Sequence, residues 1–224
     1  KLGVAGLMGA GRTELVTTLF GVNKPDAGEI RIKGKKVHLK RTANAIKRKI
    51  ALVPEDRKLM GLNLSMDVQD NTTMCIDERI SNLGFLNNST SQILANQMVS
   101  SLSIRLHSLQ QMVENLSGGN QQKVVLAKWL LTEPEIFLFD EPTRGIDVGA
   151  KAEIFELINQ LVMQGNAALI VSSEMQELVG IADRVLVMCE GRMTGELKGS
   201  QITQENIMTL ASPKNKNSTS ASIN

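Results

Sequence analysis

Residues 6–13 constrain the fold more than any other stretch of the chain. They read Gly6-Leu7-Met8-Gly9-Ala10-Gly11-Arg12-Thr13, with the apolar run Leu2-Gly3-Val4-Ala5 ahead of them. Behind them Leu15, Val16, Leu19 and Phe20 recur at helical spacing over residues 13–20, and Gly21 stops the run. A buried strand that turns through glycines straight into a helix leaves the first N–H groups of that helix unpaired. Those donors, with the positive end of the helix dipole, favour an anion such as a polyphosphate. The octet fits G-x-x-x-x-G-[K/R]-T, which gives the Thr13 hydroxyl the place of a magnesium ligand and Arg12 the place of a lysine. Arg12 keeps the charge, but its group is planar, larger and forked. Taken alone, the loop is equally compatible with a structural strand–turn–helix.

The remaining chain alternates short apolar runs with helical ones, which predicts an α/β fold with a mostly parallel core sheet. Ile50-Ala51-Leu52-Val53, Ile136-Phe137-Leu138-Phe139, Ala168-Leu169-Ile170-Val171 and Val185-Leu186-Val187-Met188 are the further strand candidates. Ile154, Leu157, Ile158 and Leu161 mark a helix between two of them. Period-two alternation over residues 28–32, leading to Gly34, predicts an antiparallel hairpin on a side sheet, and Gly191 starts another hairpin. From about residue 60 to 115 the sequence turns Asn-, Ser-, Gln- and Met-rich with helical rather than strand character, so it reads as a helical subdomain. Residues 213–224 are Ser-, Asn- and Lys-rich and are expected to be disordered.

A length of 224 residues with 42% hydrophobic side chains suits one domain with an ordinary core. Aromatics make up 3% and Tyr is absent, which argues against a surface that stacks single-stranded bases. A formal charge of +2 is too small to suggest a nucleic-acid partner. Cys75 and Cys189 have no metal-like spacing and read as free thiols of a reducing compartment. No apolar run reaches the ~18 residues of a membrane span, so any work at a membrane goes through a partner. Only four residues follow Lys1 before the loop, fewer than the ~5–6 of a typical strand, so the start of the domain is expected to lie upstream.

Two more segments carry chemistry. The apolar strand at 136–139 ends in Asp140-Glu141. A carboxylate at the mouth of a buried strand suits a magnesium-associated group, and the next one out can orient or deprotonate a water. Acidic residues merely opening a loop read equally well from this segment alone. Leu116-Ser117-Gly118-Gly119-Asn120-Gln121-Gln122-Lys123 is a second glycine-rich helix start, 24 residues before Asp140.

Together these segments are specific. From residue 2 to about 210 the chain resembles the ATP-binding-cassette family, and GLMGAGRTEL, PEDRK, LSGGNQQKV, DEPTRGIDVGAK and SSEMQEL resemble the second cassette of bacterial sugar-importer ATPases. The resemblance implies a P-loop NTPase fold with a helical subdomain at about 60–132 inserted in the core. It implies one ATPase domain over 1–211, lacking its first strands, and a tail at 212–224. ATP and Mg²⁺ are the implied cofactors. Their implied contacts are Gly6, Met8, Gly9, Ala10, Gly11, Arg12, Thr13 and Glu14 from the loop. The signature residues Ser117, Gly118, Gly119 and Asn120 and the dimer-contact residue Asp147 complete the set. Thr13, Asp140 and Glu55 are the implied magnesium residues; Glu141, Ser173 and Glu55 the implied catalytic ones. The implied partners are a second cassette, a transmembrane sugar permease reached through the helical subdomain and a hinge at 55–60, and indirectly a sugar-binding protein. The implied place is the cytoplasmic face of the inner membrane.

Three positions depart from the family pattern. Arg12 replaces the loop lysine, Glu55 stands where a glutamine is usual, and Ser173 stands where a histidine touches the γ-phosphate. Loss of one positioned polar group commonly costs on the order of 10²-fold in rate, so a slow or silent site is expected. Its signature would still complete the partner cassette's site. A soluble translation-type cassette and a non-hydrolysing nucleotide-binding module stay open as alternatives. Repair-type cassettes are disfavoured, because the 103-position gap from Thr13 to Leu116 carries no sustained heptads. His38 and His107 read as ordinary surface or lobe residues.

Overall fold

A computed structural model describes residues 1–213. Of the expected tail at 212–224, residues 214–224 lie outside the described residues. The core is a six-stranded sheet built from β1 (Leu2–Gly6), β4 (Ile50–Val53), β7 (Ile136–Asp140), β8 (Ala167–Val171), β9 (Arg184–Cys189) and β10 (Arg192–Lys198). Its order is β10-β9-β1-β8-β7-β4, with β1, β4, β7, β8 and β9 parallel and only β10 antiparallel. The runs Val4-Ala5, Ile50 to Val53 and Phe137 to Phe139 are buried on both faces, as strands sandwiched in a parallel sheet must be. The side hairpin pairs β2 (Ile30–Ile32) with β3 (Lys35–Val37) in a separate antiparallel sheet, as the Gly34 pattern predicts.

The helices return the chain between parallel strands. α1 (Arg12–Leu19) packs on β1 and β7. Val16 and Phe20 are buried, while Leu15 and Leu19 are half-buried against the core. After the short α2 (Thr42–Lys47) and β4, a single π-helical turn at Arg57–Gly61 opens the helical lobe. The Asp56 carboxylate caps that turn through the N–H groups of Lys58 and Leu59, at 2.9 and 3.0 Å.

The lobe contains α3 (Val68–Thr73), α4 (Asp77–Ile80), α5 (Asn88–Ser101) and α6 (Gly118–Leu130). It is not wholly helical as expected: β5 (Ser81–Asn82) and β6 (Phe85–Leu86) form a small hairpin. Leu83 and Gly84 turn it with φ 51° and 84°, the positive pair that a two-residue hairpin turn needs. α6 is buried around almost its whole circumference and packs on both α3 and β4, so lobe and sheet share one apolar core. The chain continues through α7 (Val148–Met163), where Ile154, Ile158 and Leu161 are buried and Leu157 is half-buried. α8 (Met175–Ile181) and α9 (Gln204–Ala211) complete it. His38 and His107 are exposed, both cysteines are free, and among the described residues no helix is long and apolar enough to cross a membrane.

Candidate functional site

The 6–13 loop ends β1 and starts α1. Gly9 and Gly11 hold φ 80° and 91°, a region that side chains with a Cβ rarely adopt. Gly11 caps α1 without offering a side chain, so among the described residues no capping side chain claims the first-turn N–H donors. Met8 at the loop tip is 96% exposed, and Glu14 points outward on the first turn.

Asp140 ends β7 and is 1% exposed. Among the described residues its Oδ1 has no hydrogen-bond partner. Burial pushes its carboxyl up to about 6; the Thr13 hydroxyl opposes this, the charge of Glu141 adds to it, Arg12 opposes and Glu14 adds. Glu141 follows in the left-handed region at φ 47°, unusual for a buried non-glycine residue, and its N–H donates to the Val171 carbonyl at 2.9 Å. Arg12 Nη1 lies 3.4 Å from Glu141 Oε1, with both side chains about nine-tenths buried, and makes no hydrogen bond. Ser173 Oγ donates to the other oxygen, Glu141 Oε2, at 3.1 Å.

These orphaned atoms test whether Mg²⁺ and a phosphate fit. A buried guanidinium N–H without an acceptor suits an anion, and a buried carboxylate oxygen without a donor suits a cation. No group of three or more His, Cys, Asp or Glu able to hold a metal exists among the described residues. Mg²⁺ takes few protein oxygens and fills its shell with phosphate and water. Thr13 and Asp140 are the residues that would hold it.

Asp140 carries a pH-dependent cost. Its folded pKa is raised above its unfolded value, so the group favours the fold below about pH 4 and loses that contribution as pH rises through about 6. At pH 7.5 the unpaired charge therefore destabilises the protein. Asp140→Asn should raise stability in the absence of Mg²⁺ by about 2–3 kcal/mol at pH 7.5 and hardly at all at pH 4. Denaturant melts of both proteins at the two pH values check this; an equal gain at both would exclude the buried charge as its source.

Behind Glu141 lies a buried carboxylate that sequence reasoning missed. Glu177 on α8 accepts from Thr143 Oγ1 at 2.7 Å, Ser172 Oγ at 2.6 Å and Lys151 Nζ at 3.0 Å. It thereby ties the loop after Glu141 to the residue before Ser173. The only signal in the sequence was a Glu beside the core residue Leu178.

The signature residues form a second group. Ser117 caps α6, its Oγ accepting from the N–H of Asn120 at 3.4 Å and from Asn120 Nδ2 at 2.9 Å. Asp147 caps α7 through the N–H of Ala150 at 2.9 Å. A Cβ on Gly119 would meet that of Ala150 at 2.7 Å, so only glycine lets the two helix starts approach this closely. Ser117, Gly119, Asn120 and Asp147 share a cavity of about 220 Å³ with Arg105 and the buried Lys123. Gly118 lies against the Arg57 guanidinium. Residues 141–147 connect this group to the first.

Thr13, Arg12, Asp140, Glu141 and Ser173 are thus brought together, and so, separately, are residues 117–120 and Asp147. Glu55 pairs with Arg144 instead of joining Thr13 and Asp140 among the described contacts. It lines a cavity of about 420 Å³ with Asp56, Arg57, Lys58, Arg144 and Gly145.

Comparison with known proteins places the chain in a family. The family model described as ABC transporter matches residues 1–144. A relative from Geobacillus kaustophilus, named as a ribose/galactose/methyl galactoside import ATP-binding protein, is 50% identical over 94% of this chain and 42% of its own length. One of the same name from Halalkalibacterium halodurans is 50% identical over 94% of this chain and 40% of its own. The chain therefore spans about two-fifths of the length of these relatives. Among solved structures, the ADP conformation of an ATP-binding cassette of an ABC transporter superposes with TM-score 0.74 at 21% identity, covering 93% of this chain and 83% of that one. A second structure of the same cassette gives 0.79 at 19%, covering 95% and 87%. These two show the shared fold.

Proposed function

The chain belongs to the ABC transporter family, and on that premise we propose that it is the second cassette of a two-cassette ATP-binding protein that energises sugar import. The observation that carries this is the pair of separate polar groups on one chain, joined by residues 141–147. Relatives named for ribose and galactoside import, more than twice as long as this chain, support both the sugar class and a further cassette.

Bound Mg²⁺–ATP supplies the phosphoanhydride bond that hydrolysis breaks. Arg12 and the first N–H groups of α1 bind the anion, Thr13 and Asp140 hold the cation, and Glu141 takes the proton of a water. Two features support a slow site at this loop. Both Glu141 oxygens have a protein neighbour, Arg12 at 3.4 Å and the Ser173 hydroxyl at 3.1 Å, so a water must compete with them for the carboxylate. The Glu55 carboxylate is neutralised by Arg144, and Ser173 offers only a short hydroxyl. The signature at 117–120 then serves the other cassette's nucleotide, while this loop holds ATP structurally.

Closure of the cassette pair rocks a transmembrane permease between its access states, fed by a sugar-binding protein. The chain sits peripherally on the cytoplasmic face of the membrane and meets the permease through the lobe. Leu59 and Met60, exposed apolar side chains on the π-helical turn, suit that docking. Full-length protein reconstituted with its permease in vesicles should hydrolyse ATP at least about fivefold faster when loaded sugar-binding protein is added. Turnover indifferent to permease and sugar alike would sink the transport assignment.

A further inference from the structure

Arg57 ties two segments of the molecule together with one guanidinium. Its Nε donates to Gln121 Oε1 on α6 at 3.2 Å, its Nη1 to the carbonyl of Arg144 at 2.8 Å, and its Nη2 to the carbonyl of Gly145 at 3.1 Å. The same Nη2 would lie 2.8 Å from a Cβ on Gly118, so the fork rests against the first signature glycine. The backbone that carries Arg57 is itself fixed at both ends: Asp56 caps the turn, and Lys128 Nζ donates to the Gly61 carbonyl. Gln121 and Lys128 are seven residues apart, which is two helical turns, so the turn at 57–61 lies along one face of α6.

We propose that Arg57 is a positioning residue that holds the signature end of α6 and the loop at 144–147 as one rigid unit. This rests on the assignment of these two segments to the partner cassette's ATP site. Three acceptors on two elements need a planar group with donors in fixed directions, which arginine has and lysine lacks. A small shift between the two segments would misplace every donor they jointly offer a neighbouring nucleotide, although neither segment unfolds. Arg57 touches no nucleotide in this scheme and acts through Gly118, Gln121 and the loop.

The test uses the full-length protein, with steady-state ATP hydrolysis read as kcat and KM separately. Arg57→Ala should lower kcat about tenfold and leave the KM for ATP within threefold, with nucleotide binding to the 6–13 loop unchanged. Arg57→Lys retains the charge and should still lower kcat at least threefold. If the alanine variant does not fold, the lysine variant decides, and wild-type kcat there overturns the proposal. Gly119→Asp runs alongside. If it stops turnover while both Arg57 variants keep wild-type kcat, the positioning role is wrong and the signature assignment stands. If Gly119→Asp leaves turnover intact, the signature assignment has failed, and the proposal fails with it.

Discussion

Gly119→Asp should lower ATP turnover by the full-length protein at least about 100-fold, while Arg12→Ala should lower it less than about threefold. The asymmetry follows from where each residue stands. Gly119 is buried at the start of α6, where a Cβ would meet Ala150 at 2.7 Å, and the aspartate adds a negative charge at a helix N-terminus proposed to receive an anion. Repulsion of the phosphate and displacement of the α7 start act together. Arg12 lies in the loop whose own site is proposed to be slow, and its neighbour Glu141 keeps the Ser173 hydroxyl as a partner when Arg12 is removed. Removing its charge weakens binding there without stopping hydrolysis elsewhere. Ser117→Ala, which removes an exposed hydroxyl without a clash, should cost about tenfold and separates loss of contact from loss of packing. If Arg12→Ala stops turnover as fully as Gly119→Asp, the 6–13 loop is a working catalytic site.

What could be read from the sequence follows from how local each signal is. β1, β4, β7, β8 and β9 are short apolar runs bounded by turns, the pattern of strands buried on both faces. Asp140 and Glu141 were visible because charge abruptly ends such a run. The β5–β6 hairpin was not visible, because its turn places Leu83, not Asn or Asp, at positive φ. The π-helical turn at Arg57–Gly61 has no periodicity of its own and owes its shape to Asp56, Lys128 and Arg57 contacts across the fold. Pairings such as Arg144 with Glu55 or Glu177 with Thr143 join residues 34 to 89 positions apart, and no local rule selects them. The left-handed backbone of Glu141 is likewise imposed by its N–H bond to β8, not by its own preference.

Phe139→Ala should destabilise the protein by about 3–5 kcal/mol, a large share of the roughly 5–15 kcal/mol that holds a typical domain folded. Phe139 is fully buried on β7, between β8 and β4, and its ring stacks on that of Phe137 with centroids 5.6 Å apart and planes 8° from parallel. The sheet backbone on either side is fixed by its ladders, so it cannot collapse into the space left, and the cavity adds to the lost transfer energy. With a urea slope of about 2 kcal/mol/M the midpoint should fall by roughly 2 M at unchanged slope. Trp129 on α6 reports the transition, being the single tryptophan in this sequence. Phe139→Leu, closer in volume, should cost less than half as much. The consequence reaches the site, since Asp140 is the next residue and its buried, partnerless oxygen stays in place only while β7 is held from behind. A loss below about 1 kcal/mol for the alanine variant would mean that β7 shifts to fill the gap, and the fixed position assigned to Asp140 would then fall with it.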